Sequence, residues 1–214
     1  MDFEDAFRRM PVIAILRGVR PTEAVAIAEA VLASGIHVIE IPLNSPEPFA
    51  SIRHVADNLA GRAVVGAGTV LNEAEVDRVA ESGGRIIVSP NMDPQVIRKT
   101  KARGLVSAPG IMTPSEAFAA LAAGADVLKI FPGEFFTLPV IRAMAAVLPK
   151  TSVLVLVGGV TPDAVGAFRG SPVAGFGVGS SIYKPGMSAV DVKVKAATFT
   201  DAIRRAGFGA NWRN

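Results

Sequence analysis

A single lysine lies in the middle of an apolar segment, residues 127–131, which read Val-Leu-Lys-Ile-Phe. Burial of an ammonium group is costly, so desolvation should lower the pKa of Lys129. A lysine that is neutral near pH 7 is a nucleophile, and it forms an imine with a ketone. The alternative is an ordinary lysine at a strand end, whose flexible stem carries the head group to solvent.

Two further charged residues, Arg17 and Glu40, occur near the ends of similar apolar runs. The residues on either side of Glu40 and of Lys129 are isoleucine or leucine. In a strand, this spacing places the apolar neighbours on one face and the charged residue on the other. We therefore expect the side chains of Lys129, Glu40 and Arg17 to lie on the same face of their strands and to converge at one site. A buried salt-bridge network is the alternative, but its desolvation cost offsets its gain, and charged groups in a cleft often mark a functional site.

Eight short runs rich in valine and isoleucine recur along the chain, each followed by a helical stretch. The runs do not alternate with polar residues, which is typical of parallel strands buried on both faces. They are residues 12–16, 38–41, 63–65, 86–88, 105–108, 127–130, 153–157 and 174–178. Proline suits the first helical position, and the predicted helix starts are Pro21, Pro46, Pro94, Pro114, Pro139 and Pro162, with Ser45, Asp93, Thr113 and Thr161 as N-caps.

This order predicts an α/β protein, a single-domain (β/α)₈ TIM barrel that spans residues 1–214. A doubly wound open sheet is the main competitor, but it usually has a glycine-rich fingerprint after its first strand, and residues 17–21, Arg-Gly-Val-Arg-Pro, do not match one. In these barrels the chemistry lies at the carboxyl ends of the strands. Arg17, Glu40, Thr69 and Lys129 all lie there in the predicted fold.

Two glycine turns follow the seventh and eighth predicted strands, one at Gly158 and Gly159 and the other at Gly179 and Ser180. In TIM barrels the loops after these two strands form a phosphate site, in which backbone N–H groups and a helix N-terminus face the anion. Glycine lets the backbone approach a ligand closely. A pair of ordinary turns is the alternative. We predict a phosphate clamp.

The composition argues against several classes of function, namely nucleic-acid binding, metal binding and membrane insertion. The net charge is +3 and the basic residues do not cluster, so we expect no nucleic-acid binding. Cysteine is absent, which excludes disulfides and thiolate metal sites, and the two histidines, His37 and His54, lie in different elements. We therefore expect no metal and no cofactor. The chain lacks a signal-peptide core and a membrane-spanning apolar run, so a cytoplasmic protein without membrane contact is expected.

Six motifs in one order, over nearly the whole chain, resemble the class I 2-keto-3-deoxy-6-phosphosugar-acid aldolases. They are Glu40-Ile41-Pro42-Leu43, Gly66-Ala67-Gly68-Thr69-Val70, Ser89-Pro90-Asn91, Pro109-Gly110, Lys129-Ile130-Phe131-Pro132 and Gly158-Gly159-Val160. Gluconate-type members carry an arginine where this chain has Asn44, and here the arginine is Arg17. That exchange resembles the branch of the family that acts on the galactonate epimer.

The resemblance implies that Lys129 forms the imine, that Glu40 moves protons, and that the protein is a homotrimer. The expected substrate is a phosphosugar acid, which is cleaved to pyruvate and glyceraldehyde 3-phosphate. Arg17, helped by Thr69, should hold the pyruvyl carboxylate, because a planar guanidinium suits that group. Pro90 and Phe131 should form an apolar wall around the imine, and Gly158, Gly159, Gly179 and Ser180 should bind the phosphate.

Three alternatives remain open at this point. The enzyme could act on the gluconate epimer, or on both epimers. A barrel of this kind could instead catalyse epimerisation or decarboxylation of a phosphosugar, although such sites typically need a second acid or base besides Glu40. It could also be a non-catalytic phosphosugar-binding protein that keeps only the clamp. Fold alone does not choose among them.

Overall fold

Parallel strands form a single ring in the computed structural model, which describes residues 1–209. Within those residues the strands are β1 (Val12–Ile15), β2 (Val38–Pro42), β3 (Val64–Gly68), β4 (Ile86–Val88), β5 (Val106–Ala108), β6 (Gly110–Ile111), β7 (Leu128–Ile130), β8 (Leu154–Val157) and β9 (Val173–Val178). Their order in the sheet is β5-β4-β3-β2-β1-β9-β8-β7-β6. The predicted (β/α)₈ barrel is confirmed, and each predicted strand is found.

The ring closes at Pro109, which separates β5 from β6. Proline has no N–H to donate to a ladder, so the strand is interrupted there. β5 pairs with β4 and β6 pairs with β7, so these two segments are the first and second halves of one barrel strand. The carbonyl of Pro109 still accepts the backbone N–H of Lys129 at 3.0 Å. The seam therefore lies beside the lysine.

The helices of residues 1–209 alternate with the strands. They are α1 (Phe3–Arg9), α2 (Pro21–Ala33), α3 (Pro48–Asn58), α4 (Glu73–Glu81), α5 (Pro94–Ala102), α6 (Pro114–Ala123), α7 (Leu138–Val147), α8 (Pro162–Val165) and α9 (Ala189–Arg205), with short 3₁₀ turns at Gly133–Phe135 and Gly166–Phe168. None of these helices is long and apolar enough to cross a bilayer.

One predicted helix start was wrong. Helix α3 begins at Pro48, with Glu47 as its N-cap, instead of at Pro46 with Ser45 as the cap. A residue that precedes proline is disfavoured in the α-helical region, so Glu47 cannot continue a helix begun at Pro46. Glu47 adopts a left-handed conformation with φ 41°. The hydroxyl of Ser45 accepts the backbone N–H of Gly18 at 2.9 Å, which ties together the loops after β1 and β2.

Two apolar layers separate the inside of the ring from the outside. Leu128 and Ile130 belong to the outer layer between strands and helices, together with Ile39 and Ile41. The inner layer contains valines from the strands, and it also includes Phe3, Ala6 and Phe7 of α1. Helix α1, which the sequence did not predict, therefore closes the amino-terminal end of the barrel.

Candidate active site

A cavity of about 400 Å³ opens at the carboxyl ends of the strands. Nine of the ten residues that the sequence assigned to the site line it: Arg17, Glu40, Thr69, Lys129, Phe131, Gly158, Gly159, Gly179 and Ser180. The tenth, Pro90, does not line the cavity. Its carbonyl oxygen packs against Gly110 instead, where a Cβ would overlap it. The apolar wall beside the lysine is therefore formed by Phe131 without Pro90.

Lys129 faces the interior of the ring because its neighbours on β7 point into the outer layer. The residue is buried, with only 7 % of its surface exposed. Nζ donates a hydrogen bond to the carbonyl oxygen of Ser89 at 3.3 Å and lies 4.4 Å from the centroid of the Phe131 ring. Burial lowers the pKa of Lys129 to about 8, although Glu40 opposes the shift. A useful fraction of the amine is therefore neutral near pH 7.

Glu40 lies on β2 and is 2 % exposed. Burial raises the pKa of its carboxyl to about 7, and the charges of Lys129 and Arg17 and the backbone of Gly68 oppose that rise. Oε2 is buried and has no hydrogen-bond partner among the described residues. An unpaired buried carboxyl oxygen is costly, so this atom is available to a water or a ligand hydroxyl.

Lys129 and Glu40 are close enough to influence each other's pKa but do not form a direct ion pair. Among the ion pairs of residues 1–209, all at 4.0 Å or less, none joins the two. Burial lowers the pKa of Lys129 and raises the pKa of Glu40, so the two values approach each other. The two groups can therefore exchange a proton by way of a reactant or water in the intervening space.

Arg17 is held at the mouth of the cavity by a contact between loops. Its Nη1 donates a hydrogen bond to Oδ1 of Asn44 at 2.6 Å. The adjacent Gly18 is bonded to Ser45, as described above, so the loops after β1 and β2 are joined at two points. The guanidinium keeps further donors free for an anionic ligand, because arginine carries five N–H groups in a fixed fork.

A strained residue lines the same cavity as the lysine, and a buried serine contacts the lysine. Thr69, directly after β3, has φ 58°, an unusual conformation for a β-branched side chain. Such strain costs about 1–3 kcal/mol and often occurs at functional sites. The hydroxyl of Ser89 donates to the carbonyl of Val70 at 2.8 Å, while its own carbonyl accepts Lys129 Nζ. Sequence reasoning gave Ser89 no role, although it opens one of the six motifs.

The two glycine turns lie next to each other at one side of the mouth. Gly158 and Gly159 have φ values of 116° and 65°, which favour glycine. The Ser181 hydroxyl donates to the carbonyl of Val160 at 2.5 Å and joins the two loops. Helix α8 behind them has only four residues, so it does not provide the helix N-terminus that the sequence argument placed there. Any phosphate binding depends on the loops themselves.

Sequence reasoning missed several residues of the cavity, among them Glu134, Tyr183 and Lys184. Tyr183 is buried, and its hydroxyl donates to Oε1 of Glu23 at 3.3 Å. Lys184 is exposed and also borders the cavity. The order of residues along the chain gave no signal for them, because their positions depend on how separate loops pack.

A second cavity, of about 480 Å³, lies at the opposite end of β8 and β9. Lys150, Ser152 and Arg169 are among its polar lining residues, and Gly209, the last described residue, borders it. It contains none of the predicted site residues. The cavity at the carboxyl ends of the strands therefore remains the candidate active site, in spite of its smaller volume.

Neither histidine contributes to the site. Nδ1 of His37 lies 3.2 Å from the carbonyl oxygen of Arg62, and His54 is exposed on α3. Over residues 1–209, His, Asp and Glu side chains do not form a group of three or more that could hold a metal ion.

Comparison with known proteins gives consistent results. A family model described as KDPG and KHG aldolase matches residues 3–197. The chain is 47 % identical over 186 residues to a probable 2-dehydro-3-deoxy-6-phosphogalactonate aldolase of Rhizobium meliloti, covering 87 % of this chain and 88 % of that protein. It is 43 % identical over 198 residues to 2-dehydro-3-deoxy-6-phosphogalactonate aldolase of Escherichia coli, covering 92 % and 97 %.

A solved structure described as native KDPGal has the same fold. It superposes with a TM-score of 0.90 at 43 % identity, and the match covers 92 % of this chain and 96 % of that one. The likeness therefore extends over most of both chains.

Proposed function

The chain belongs to the KDPG and KHG aldolase family, and we propose that it cleaves 2-dehydro-3-deoxy-6-phosphogalactonate through a Schiff base on Lys129. The products are pyruvate and D-glyceraldehyde 3-phosphate. Among residues 1–209, the observation that carries the proposal is a buried lysine with a pKa of about 8 that shares one cavity with a buried carboxyl whose pKa is about 7.

The first step is formation of the imine. Neutral Lys129 attacks the C2 ketone of the substrate and gives a carbinolamine. Glu40 moves protons between the nitrogen and the C2 hydroxyl, so that water leaves and a protonated Schiff base remains. The face of the Phe131 ring, next to Nζ, favours a cation at this position.

Cleavage follows because the protonated imine accepts electrons. Glu40, as a carboxylate, takes the proton of the C4 hydroxyl directly or through a water. The C3–C4 bond breaks, its electron pair forms an enamine with the imine carbon, and C4 becomes the aldehyde of glyceraldehyde 3-phosphate. The enamine is then protonated at C3, and hydrolysis of the new imine releases pyruvate and restores Lys129.

The two ends of the substrate, its carboxylate and its phosphate, bind to different residues of the cavity. Arg17 and Thr69 hold the carboxylate beside the imine, since a guanidinium pairs well with a carboxylate. At the other end the phosphate lies against the glycine turns, with Gly158, Gly159, Gly179 and Ser180 as its partners. These roles agree with the positions of all six residues along one cavity.

Borohydride reduction in the presence of pyruvate tests the proposal. A stable adduct should form on Lys129 and be located by peptide mass spectrometry, whereas Lys129→Ala should neither form it nor cleave the phosphosugar. Lys195→Ala, an exposed lysine of α9, is the matched control and should behave as the wild type. An adduct on another residue, or wild-type cleavage by Lys129→Ala, would rule out this mechanism.

The gluconate epimer is the second candidate substrate. The placement of Arg17 against Asn44 favours the galactonate epimer, because gluconate-type enzymes resembling this chain carry arginine at the position of Asn44. Both phosphosugar acids should be assayed side by side, with pyruvate detected by lactate dehydrogenase. Comparable rates would mean dual specificity, and ligand binding without pyruvate release would mean a non-catalytic binding protein.

Assembly as a homotrimer is also part of the proposal. Several large apolar side chains are exposed on the described surface, among them Leu71, Met112, Phe118 and Phe135. Such residues would be covered in an oligomer. Light scattering after gel filtration should give three times the 22.2 kDa chain mass. A cytoplasmic location is expected as well, because a charged phosphosugar stays on the side of the membrane where it is made, and cell fractionation tests it.

A further inference from the structure

Glu134 lies at the phosphate end of the cavity, and the mechanism gives it no role. It belongs to the 3₁₀ turn that follows β7, and its side chain rests on the turn formed by Gly158 and Gly159. A Cβ at Gly158 would overlap Glu134 Oε2, and a Cβ at Gly159 would stand 2.6 Å from its Cγ. The space left by the two absent side chains is thus filled by this carboxylate and its stem.

The backbone holds this arrangement from both sides. A Cβ at Gly133 would lie 2.9 Å from the carbonyl oxygens of Val157 and Gly158, so the 3₁₀ turn packs directly on the end of β8. Gly158 and Gly159 have φ values that L-residues rarely adopt. The close backbone contacts leave little room between the two turns, while the Glu134 side chain is exposed and can rotate.

A phosphate bound at this turn would meet a negative charge already in place. Two anions at contact distance repel each other, and at a partly solvated site the effect on affinity is about three- to tenfold. Glu134 forms no ion pair within the described residues that would neutralise it. Its neighbours in the cavity include the cations Arg17 and Lys184, which attract either anion.

We propose that Glu134 is a displaceable anion that occupies the phosphate end of the free cavity and swings into solvent when a phosphosugar binds. This inference rests on the proposed function. The carboxylate lowers the affinity for every phosphate by a similar factor. The substrate offsets this loss through the imine and the carboxylate anchor, whereas inorganic phosphate has neither and binds more weakly. Glu134 thus weakens the occupancy of the cavity by simple anions, while the ratio of the two affinities stays the same.

The experiment compares the wild type with Glu134→Gln, which keeps the shape and removes the charge. The inhibition constant of inorganic phosphate and the KM of the phosphosugar acid should each fall by about three- to tenfold in the variant, and the difference should shrink as salt is added. Glu134→Ala should move both constants in the same direction. Glu81→Gln, an exposed glutamate on α4, removes the same charge elsewhere and should leave both constants unchanged.

Unchanged constants in both Glu134 variants, or a higher KM in both, would overturn the inference. Pyruvate trapping by borohydride separates this outcome from failure of the proposed function, because pyruvate carries no phosphate. If the wild type forms the Lys129 adduct but the Glu134 substitutions have no effect, only the proposed role of Glu134 is disproved. A wild type that forms no adduct disproves the aldolase reaction, and the affinity for phosphate can then still be compared by calorimetry.

Discussion

Gly68 lies directly against the carboxyl group of Glu40, so that a Cβ at position 68 would overlap both carboxyl oxygens. The residue lies at the end of β3, next to the strand that carries Glu40. The absence of a side chain at Gly68 therefore determines where the carboxyl can lie, and with it the distance from the carboxyl to the lysine.

Gly68→Ala should displace the Glu40 carboxyl and lower kcat by about 10²-fold, since small misplacements of a catalytic group are costly. Steady-state kinetics on the phosphosugar acid measures the effect. Gly166→Ala is the matched control, because a Cβ there meets nothing within 4 Å and its φ of −58° is helical. Equal activity in the two variants would contradict this account of Gly68.

Glu40→Gln should slow cleavage more than it slows binding. Removal of a general acid–base group costs about 10²–10⁴-fold, so kcat should fall in that range. The lysine remains, and some pyruvate adduct should still be trapped by borohydride. Ser51→Ala is the control, because Ser51 is a buried polar residue of α3 that does not line the cavity. It measures the effect on kcat of replacing a buried polar side chain outside the site. Full activity of Glu40→Gln would remove Glu40 from the mechanism.

The rate of pyruvate trapping should rise with pH through about 8, because only neutral Lys129 attacks the ketone. Glu40 raises the pKa of Lys129, whereas burial lowers it. In Glu40→Gln that opposing charge is gone, so the pKa of the lysine falls and the acid limb moves to lower pH. Initial trapping rates at a series of pH values measure this rise in the wild type and in the variant. A shift to higher pH in the variant would contradict the assigned interaction.

Arg17→Met should weaken binding of the substrate carboxylate. A charge-assisted hydrogen bond contributes about 1.5–3 kcal/mol, so KM should rise by about ten- to a hundredfold. Asn44→Ala, which only frees the guanidinium from its 2.6 Å contact, should have a smaller effect. Arg142→Met, an exposed arginine of α7, is the control for lost charge. Because Arg17 also lowers the pKa of Lys129, the comparison belongs above pH 8.

The sequence predicted the barrel and the direction of its charged residues for a simple reason. Side chains alternate along a strand, so the apolar neighbours of Lys129 and Glu40 already indicate which way those residues face. Proline and glycine likewise mark most helix boundaries. The exception, at α3, has two prolines two residues apart, and the constraint on the residue before a proline favours the second as the start.

The parts that were missed depend on contacts between distant segments. Helix α1 is short and rich in charge, and only its packing against the barrel interior gives Phe3 and Phe7 their role. The position of Glu134 depends on how the turn after β7 rests on the end of β8. Pro90 lies in a shared motif, but its backbone contacts Gly110 instead of the cavity.

Because Phe3 and Phe7 close the amino-terminal end of the barrel, reactants enter and leave at the carboxyl ends of the strands. The lysine is buried, whereas Gly159, one of the proposed phosphate-binding residues, is exposed. In the proposed reaction the aldehyde fragment therefore stands between the pyruvyl group and the exit. We expect the fragments to depart in a fixed sequence, glyceraldehyde 3-phosphate first and pyruvate last, so that pyruvate should inhibit as the product bound by the empty enzyme.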